Sequence, residues 1–412
     1  MINIPADSDF SIHNIPFGIF STPTRSKRVG VAIGNHILDL VAVARLGVFD
    51  FDTSVLEQEV LNDFIALGKP ITNKVRTDIQ QWLQTKDSPL AGQAELFVLQ
   101  SEATMHLPVR VGDYTDFYAS IEHATNVGKM FRDPKNALLP NWRHLPVGYH
   151  GRSSSIIVSG QPVHRPCGQV LPQAATQPIY QATDKLDFEL EMAFIIGKAT
   201  RLGDTIASQD AMDHIFGMVL LNDWSARDIQ RWEYVPLGPF LGKNFASSIS
   251  AWVVTMEALA PFRVAGPPQT PAVLPYLQTI GKQNYDIGLE VALIPENGKA
   301  QLISRSNFKY LYWNMAQQLA HHTVNGCNVR VGDLMGSGTI SGKDKNSYGS
   351  MLEITWGGTQ PLTMNDGSTR TFLQDFDTVR MRAFAEKDHI RLGFGTVEAQ
   401  VLPAKTVNKL KN

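Results

Sequence analysis

Residues 184–197, DKLDFELEMAFIIG, decide how this chain folds. Large apolar residues recur there at every second position, which is the spacing of one face of a β-strand. They are Phe188, Leu190, Met192 and Phe194. Glu189 and Glu191 then lie on the opposite face, about 6.6 Å apart along the strand axis. The simplest interpretation of such a pair is the solvated side of a half-buried strand, so a functional role needs other residues that point to the same place.

The sequence around this stretch predicts more strands than helices. Residues 28–40 alternate around a Gly-Asn turn at 34–35, and residues 285–304 alternate around a turn at 296–298. The segments MLEITW and TRTFL flank a third turn at 365–367. Because no regular helices connect these strands, the pattern favours a mostly antiparallel α+β architecture over a doubly wound parallel sheet.

Four segments have the spacing of a helix. They are residues 56–67, residues 76–83, a segment that begins near Ser208 or Asp210 and continues to Val219, and one that begins after Ser306 or Asn307 and carries Phe308, Leu311, Met315 and Leu319. The connection LPVRVGDY, residues 107–114, divides a small β-rich N-terminal domain, residues 1–108, from a larger domain, residues 109–412.

Composition excludes several classes of protein. The 412 residues are 43% hydrophobic and 18% charged with a formal net charge of −2, which does not favour binding to nucleic acid or an anionic membrane. The two cysteines fit a reducing compartment. No leader sequence is visible, and no apolar run reaches the ~18 residues of a membrane span. We therefore expect a cytoplasmic protein that binds neither nucleic acid nor membranes.

Two further segments carry acidic residues that could join the glutamate pair. Asp116 and Tyr118 have the same i, i+2 spacing, and an apolar strand ends at Asp223 just before a short helix. One face of that helix carries Arg227, Gln230 and Tyr234. Converging carboxylates repel one another by ~4 kcal/mol per pair at ~4 Å, so a cluster of them needs a bound cation. Oxygen ligands favour Ca²⁺, Mg²⁺ or Mn²⁺ over Zn²⁺.

Short blocks of this sequence resemble those of the fumarylacetoacetase family. The blocks are DYTDFY, HATNVG, MFR, LPVGYHGR, FELEMAF, NDWSARDIQ, GKNF, GSGTISG, GSMLE and RLGFG. The resemblance covers the whole length and implies a small SH3-like β-barrel followed by a large mixed β-roll domain. It also implies metal-dependent hydrolysis of the carbon–carbon bond of 4-fumarylacetoacetate, which yields fumarate and acetoacetate in the last step of tyrosine and phenylalanine catabolism.

The resemblance further implies which residues hold the cation and activate water. The ligands of a Ca²⁺ or Mg²⁺ ion, with Mn²⁺ as a further candidate, are Asp116, Glu189, Glu191 and Asp223. His123 is implied as the general base, with Glu353 orienting and charging its imidazole. A second, structural Mg²⁺ is implied at Asp223, at Lys243 through its main chain, and at Ser247. Ser247 stands where the family usually has threonine, and it keeps the hydroxyl.

The groups that would contact substrate follow from the same resemblance. Those that face the developing negative charge are Arg227, Gln230 and Lys243. The other substrate contacts are Tyr118, Arg132, Tyr149, Gln230, Tyr234 and Thr339. The resemblance also implies a small-molecule substrate and a homodimer whose larger domain makes the interface.

Two other functions stay open. A relative on the same fold could hydrolyse another 2,4-dioxo acid (an acylpyruvate), or decarboxylate or isomerise it, although pairing His123 with Glu353 favours water activation. A non-enzymatic binding protein requires the acidic and basic groups to be scattered over the surface. The glycine-rich block at 336–342 is followed by no helix pattern, so a tight turn fits it better than a nucleotide-binding loop.

Overall fold

An antiparallel sheet of five strands forms the N-terminal part of the structure, a computed structural model that describes residues 4–5 and 8–405. The elements of this part are β1 (Phe17–Thr22), β2 (Arg25–Ile33), β3 (His36–Asp39), α1 (Leu40–Ala44), α2 (Asn62–Ala66), α3 (Lys69–Gln84), β4 (Phe97–Leu99) and β5 (Thr104–His106). The strands lie in the order β4-β3-β2-β1-β5. Phe17, Ile19 and Val31 are fully buried, because the apolar residues of β1 and β2 face a common core.

The local predictions for this part are confirmed except for one helix. The turn at 34–35 joins β2 to β3, and the helix predicted over 76–83 lies within α3. The helix predicted over 56–67 is wrong in extent, because only the 3₁₀ turn Thr53–Glu57 and α2 are helical there. Its apolar side chains are nevertheless buried in the core. Core packing, and not a continuous helix, therefore explains their spacing.

The rest of the described chain consists mainly of short strands. The strands are β6 (Tyr114–Phe117), β7 (Gly148–Gly151), β8 (Ile156–Val158), β9 (Val163–His164), β10 (Cys167–Val170), β11 (Ile179–Ala182), β12 (Leu186–Asp187), β13 (Leu190–Ile196), β14 (Ile215–Asp223), β15 (Ser225–Ala226), β16 (Ser247–Ile249), β17 (Val254–Thr255), β18 (Arg263–Val264), β19 (Asn284–Tyr285), β20 (Gly288–Ile294), β21 (Gln301–Asn307), β22 (Leu334–Gly336), β23 (Leu362–Thr363), β24 (Thr369–Arg370), β25 (Thr378–Lys387) and β26 (Ile390–Leu402). The helices are α4 (Ile121–Phe131), α5 (Arg227–Glu233), α6 (Met256–Leu259), α7 (Met315–Thr323) and α8 (Met351–Ile354). The predicted α+β class dominated by strands is confirmed. None of the described helices combines the length and the apolar character needed to cross a membrane.

An eight-stranded sheet lies between two cores. Its order is β7-β6-β22-β13-β14-β16-β8, with β17 beside β14, and β22–β6 and β16–β8 are its parallel pairs. Leu190 and Met192 of β13 face the core of the larger part, whereas Ala193 and Ile195 pack into the core shared with the N-terminal sheet. The interpretation of a solvated acidic face on this strand is wrong, because Glu189 and Glu191 are themselves buried.

A second large sheet, in the order β21-β20-β25-β26-β9, contributes to the same main core. Its hairpin turn at 296–298 and the separate turn at 365–367, between β23 and β24, are both confirmed. Antiparallel pairs predominate in this sheet, and β26 pairs in parallel with β9. The chain between strands therefore turns back locally more often than it crosses over.

Three local predictions in the larger part are wrong. The helix predicted up to residue 219 is only a 3₁₀ turn, Ala211–His214, followed by β14, whose nine residues are all buried. When every residue of an apolar run is buried, the sequence shows no alternation of apolar and polar residues, so its periodicity cannot distinguish a strand from a helix. The helix predicted after residue 307 begins at Met315, where Asn314 caps it. The segment MLEI forms α8 and not a strand.

Gly128 allows α4 to pack against the chain that follows it. A Cβ atom at this position would lie 2.0 Å from the carbonyl oxygen of Ala137, so Gly128→Ala must push the helix away from that segment. We expect the free energy of unfolding to fall by about 1–3 kcal/mol, measured by urea denaturation. Gly288→Ala is the control, because its added methyl group would have its nearest neighbour 3.4 Å away in the Phe384 ring. Equal unfolding free energies for the two variants would contradict this close packing.

Candidate functional site

Four buried carboxylates meet near one end of the eight-stranded sheet. They are Asp116 on β6, Glu189 immediately before β13, Glu191 on β13 and Asp223 at the end of β14. Strand pairing brings them together, because Asp116 lies beside Gly336 of β22, and β22 pairs in turn with β13. The backbone N–H of Asp223 also donates to the carbonyl of Glu189. We call these four residues the acidic cluster.

Burial makes the charged forms of the carboxylates in the acidic cluster unfavourable. One carboxylate oxygen from each residue lies within 4.8 Å of the others, and none of the four residues is more than 5% exposed. Burial raises the pKa of Asp116 and of Glu191 well above their usual values, and the neighbouring carboxylates raise both further. The two acids therefore resist ionisation unless a positive charge is close to them.

Two basic side chains already neutralise part of the acidic cluster. Lys243 Nζ donates to Glu189 and, at 2.7 Å, to Oδ2 of Asp223. Arg227 Nη1 lies 2.7 Å from Oε1 of Glu189, and Arg227 Nε donates to Oδ2 of Asp187 at 2.8 Å. Burial by itself would raise the pKa of Glu189, but Lys243 and Arg227 overcome that effect and lower the pKa. Glu189 is therefore the carboxylate that these two cations hold in the charged form.

The remaining carboxylate oxygens fit a divalent cation. Oδ1 of Asp116 and Oε1 of Glu191 are buried and have no hydrogen-bond partner among residues 4–5 and 8–405. Oε2 of Glu191 accepts from the N–H of Gly338 at 3.0 Å, which fixes the direction of its other oxygen. A buried acceptor without a partner costs about 1–3 kcal/mol, and a hard cation with oxygen ligands would offset that cost. The residues present therefore fit the metal that the sequence predicts.

A cavity of about 220 Å³ opens beside Asp223. Its lining includes Tyr114, Tyr149, Phe240, Lys243, Asn244 and Ser247. Asp223 is held there from two sides, because Ser247 Oγ donates to its Oδ1 at 2.8 Å and the Tyr149 hydroxyl donates to its Oδ2 at 3.2 Å. A small molecule that enters this cavity meets Asp223 and Lys243 directly.

A buried histidine–glutamate pair adjoins the acidic cluster. His123 lies on α4, is 2% exposed, and places its Nδ1 2.7 Å from Oε2 of Glu353 on α8. His123 is also near enough to Glu189 for its charge to help lower the pKa of that carboxyl. With Nδ1 committed to Glu353, Nε2 is the ring nitrogen that is available to take a proton.

Polar neighbours hold Glu353 in its charged form. Its Oε2 also accepts from the hydroxyls of Ser341 and Ser350, at 2.8 and 3.0 Å. Its Oε1 accepts from Nδ2 of Asn126 at 2.9 Å. Burial by itself would raise the pKa of Glu353, but His123 and these donors lower it. A carboxylate fixed in this way selects the tautomer of His123 that is protonated at Nδ1 and stabilises the imidazolium.

The structure brings only part of the predicted substrate-contact set to the site. The Tyr118 ring packs edge-on to the His123 ring with 5.3 Å between centroids. Thr339 is buried in the turn next to Gly338, whose N–H binds Glu191. Tyr149 donates to the acidic cluster as described above.

Three other predicted substrate contacts lie outside the acidic cluster. Gln230 is half-buried on α5, one helical turn after Arg227. Tyr234 follows the end of α5 and is 48% exposed. The guanidinium of Arg132 donates to the carbonyl of Ala137 at 2.7 and 3.2 Å. The sequence predicts that Arg132 and Tyr234 contact substrate. In this structure Arg132 instead binds a backbone carbonyl, and Tyr234 is exposed.

Sequence reasoning did not identify Asp187 or Asn126 as part of the site. Asp187 is fully buried beside Arg227, and Asn126 binds Glu353. The signal for Asp187 lies in the stretch DFELE, because residues 187, 189 and 191 continue one alternation of acidic side chains. No comparable pattern indicates Asn126, whose position one turn after His123 is also compatible with a solvent-exposed role.

Family models match nearly the whole chain. A model described as “Fumarylacetoacetase N-terminal” matches residues 13–108, and one described as “Fumarylacetoacetate (FAA) hydrolase C-terminal” matches residues 113–402. The fumarylacetoacetases of Rattus norvegicus and Homo sapiens are each 52% identical to this chain, over 98% of it and 98% of their own length. That of Dictyostelium discoideum is 51% identical over 98% of this chain and 97% of its own.

Solved structures share the fold at lower sequence identity. A fumarylacetoacetate hydrolase from Exiguobacterium antarcticum aligns with 95% of this chain and 100% of its own, with a TM-score of 0.55 and 18% identity. A maleylpyruvate hydrolase from Sphingobium aligns over the same shares with a TM-score of 0.51 and 15% identity. At these identities the likeness shows a common fold alone.

The two glutamates of the acidic cluster should respond differently to loss of charge. Glu191→Gln removes the repulsion between Glu191 and the neighbouring carboxylates in the metal-free protein, so its melting temperature in chelator should be unchanged or higher. Its affinity for Ca²⁺, Mg²⁺ or Mn²⁺ should be at least about tenfold lower. Glu189→Gln removes the partner of Lys243 and Arg227, so both the melting temperature and the affinity should fall. Thermal denaturation and calorimetric titration of purified variants measure the two quantities. Unchanged cation affinity in both variants would contradict the metal site.

Proposed function

The chain belongs to the fumarylacetoacetate hydrolase family, and we propose that it hydrolyses 4-fumarylacetoacetate to fumarate and acetoacetate, the last step of tyrosine and phenylalanine catabolism. It is accordingly a hydrolase that acts on carbon–carbon bonds in ketonic substances. The observation that carries this function is the buried His123–Glu353 pair beside the acidic cluster. Such a pair is suited to water activation, which favours hydrolysis over decarboxylation or isomerisation.

We infer that the acidic cluster is the metal site of this enzyme. The family is metal-dependent, and the four clustered residues could hold the ion. They are Asp116, Glu189, Glu191 and Asp223. Their oxygen ligands favour Ca²⁺ or Mg²⁺, with Mn²⁺ as the third candidate. A divalent cation bound there would polarise and orient the two diketone oxygens.

His123 and Glu353 act on the attacking water. Nε2 of His123 takes a proton from water, whose oxygen bonds to one carbonyl carbon of the diketone, and Glu353 stabilises the imidazolium that results. The carbon–carbon bond then breaks, and its electron pair leaves as the enolate of acetoacetate. Return of the proton to the enolate carbon completes the reaction and restores neutral His123.

Arg227, Gln230 and Lys243 stabilise the negative charge that develops on the substrate. Nη2 of Arg227 is buried and has no hydrogen-bond partner in the described part of the chain, so a donor is available to an oxyanion. Lys243 Nζ uses two of its three protons on Glu189 and Asp223. Its third proton could serve the same purpose, and Gln230 would contribute its amide group after a side-chain rotation.

The proposed substrate contacts require two side chains to move. Arg132 would exchange the carbonyl of Ala137 for a substrate carboxylate, which a guanidinium binds with two hydrogen bonds. Tyr234 would turn inward from its exposed position. The remaining proposed contacts are Tyr118, Tyr149, Gln230 and Thr339. Contacts that tighten only on substrate binding are common in enzymes.

A second, structural Mg²⁺ is proposed at Asp223, Ser247 and the main chain of Lys243. Support comes from the close packing of these groups, because Asp223 and Ser247 are opposite one another on β14 and β16 and their side chains are hydrogen-bonded. Serine supplies the same oxygen as the threonine usual in the family. The proposal therefore needs no residue that this chain lacks.

The organisation of the protein is proposed as two domains, residues 1–108 and 109–412, in a cytoplasmic homodimer. Strands β1–β5 form a sheet of their own, which supports the domain boundary. Support for a dimer comes from the exposed apolar residues that follow α5, among them Leu237 at 97% and Phe240 at 58% exposure, because such surfaces often mark contacts with another protein.

The direct test of the proposed function is consumption of fumarylacetoacetate by the purified protein with Ca²⁺ or Mg²⁺. Loss of the absorbance of the conjugated diketone, together with equimolar fumarate and acetoacetate, is the expected result. Other 2,4-dioxo acids should be cleaved more slowly. A protein that leaves fumarylacetoacetate intact but decarboxylates or isomerises another dioxo acid would contradict the proposal.

His123→Asn should lower kcat by roughly 10²–10⁴-fold, the usual range for loss of a general base. Affinity for the cation should stay close to that of the unchanged protein, because His123 is not among the four clustered acids. His321→Asn is the matched control, since His321 lies in the last turn of α7 and pairs with the Tyr276 hydroxyl at 3.0 Å. Near-normal kcat in His123→Asn would remove this residue from the mechanism.

A further inference from the structure

Asp187 is a buried carboxylate that no step above employs. It is fully buried at the end of β12, two residues before Glu189. Its Oδ2 accepts from Arg227 Nε at 2.8 Å and from the backbone N–H of Leu352 at 3.0 Å, and its Oδ1 accepts from the N–H of Met351 at 2.7 Å. One carboxylate therefore binds three donors that belong to two separate elements, α5 and α8.

Those two elements carry the two halves of the site. Arg227 begins α5 and reaches Glu189 of the acidic cluster through Nη1. Met351 and Leu352 begin α8, and Glu353, which follows them, binds His123. The N–H groups in the first turn of a helix have no partner within the helix. Asp187 supplies that partner and at the same time fixes the guanidinium.

We propose that Asp187 is a positioning residue for the hydrolysis, because it holds the Arg227 guanidinium and the helix of Glu353 in one fixed relation. The inference rests on the proposed function and deepens it. Water activation at His123 and stabilisation of charge by Arg227 must act on the same substrate molecule. A displacement of about 1 Å between such groups can cost roughly 10²-fold in rate. A single carboxylate shared between them prevents that displacement.

The three hydrogen bonds at Asp187 require a carboxylate and not an amide, because all three partners are donors. An ionised aspartate offers two acceptor oxygens, whereas asparagine of the same size has one acceptor and one donor. In Asp187→Asn the amide NH₂ replaces one of the two acceptor oxygens. It must then face either the N–H of Met351 or the N–H groups of Leu352 and Arg227, and a donor cannot bind another donor. At least one hydrogen bond is therefore lost without a change in volume.

Asp187→Asn tests the proposal against a matched control in the same fold. Asp377 is also fully buried, accepts from Arg370 Nε and Nη2 at 2.9 Å each, and accepts from the backbone N–H of Gln374 at 2.9 Å. No hydrogen bond of Asp377 involves the site residues. Asp377→Asn therefore measures the effect of disrupting a buried aspartate–arginine pair on stability alone.

Steady-state kinetics with fumarylacetoacetate and thermal denaturation should separate the two roles. We expect both variants to melt at a lower temperature than the unchanged protein. For Asp187→Asn, kcat should fall about 10- to 100-fold with KM nearly unchanged. For Asp377→Asn, kcat should stay normal below the melting temperature of that variant. Equal kcat in the two variants, or a loss confined to KM, would overturn the proposal. If the unchanged protein fails to consume fumarylacetoacetate, the proposed function has failed instead. If Asp187→Asn does not fold, Asp187→Ser, which keeps one oxygen acceptor, is measured in its place.

A double-mutant cycle with Glu353→Gln adds a result that a purely structural role would not produce. If Asp187 acts through α8, then Asp187→Asn should lower kcat much less in the Glu353→Gln background than in the unchanged protein, because the group it positions is already impaired. Fully additive losses would overturn that coupling. Single-turnover measurements keep the slow variants within range.

Discussion

Mutual repulsion among four buried carboxylates is the constraint on which the rest of the structure depends. Two of them, Glu189 and Asp223, are paired with Lys243, and Glu189 also contacts Arg227. The other two have oxygens without partners among the described residues. Removing such groups from water is costly, and only opposite charge at short range compensates for it. An arrangement of this kind is stable in its ionised form only with a cation, which is the physical basis of the proposed metal site.

The N-terminal sheet packs against the sheet that carries the acidic cluster, although none of the proposed site residues belongs to it. Its core continues onto the face of the central sheet that carries Ala193 and Ile195, the face to which Glu191 also belongs. That part of the face is therefore apolar and buried. In a medium of lower dielectric constant, Arg227 and Lys243 would act more strongly on a developing negative charge, as their proposed role requires. Burial therefore strengthens the electrostatic interactions of the same charged groups whose removal from water is costly.

The site combines a rigid half and a half that depends on short helices. The acidic cluster lies on paired strands, whose register sets the distances between its members. His123 and Glu353 lie instead on α4 and α8, which approach the sheet from outside. Hydrogen bonds from Asn126, Ser341 and Ser350 fix Glu353, and the contacts of Asp187 join α8 to α5. Correct spacing between the two halves thus depends on a small number of buried polar contacts.

The sequence by itself determined whatever depends on near neighbours along the chain. The turn at 34–35, the hairpin at 285–304 and the helical face of Arg227 each follow from residues within one or two turns, and the family blocks identified the acidic cluster and the His123–Glu353 pair. Only the tertiary structure decided what is buried. The alternation around Glu189 and Glu191, taken alone, fits a solvated face, and the apolar run up to residue 219 reads as a helix, because the chain that covers these residues lies far away in sequence. The hydrogen bonds of Asp187 with Met351 and Leu352 join residues more than 160 positions apart. No local pattern encodes a contact whose partner is set by the packing of distant elements.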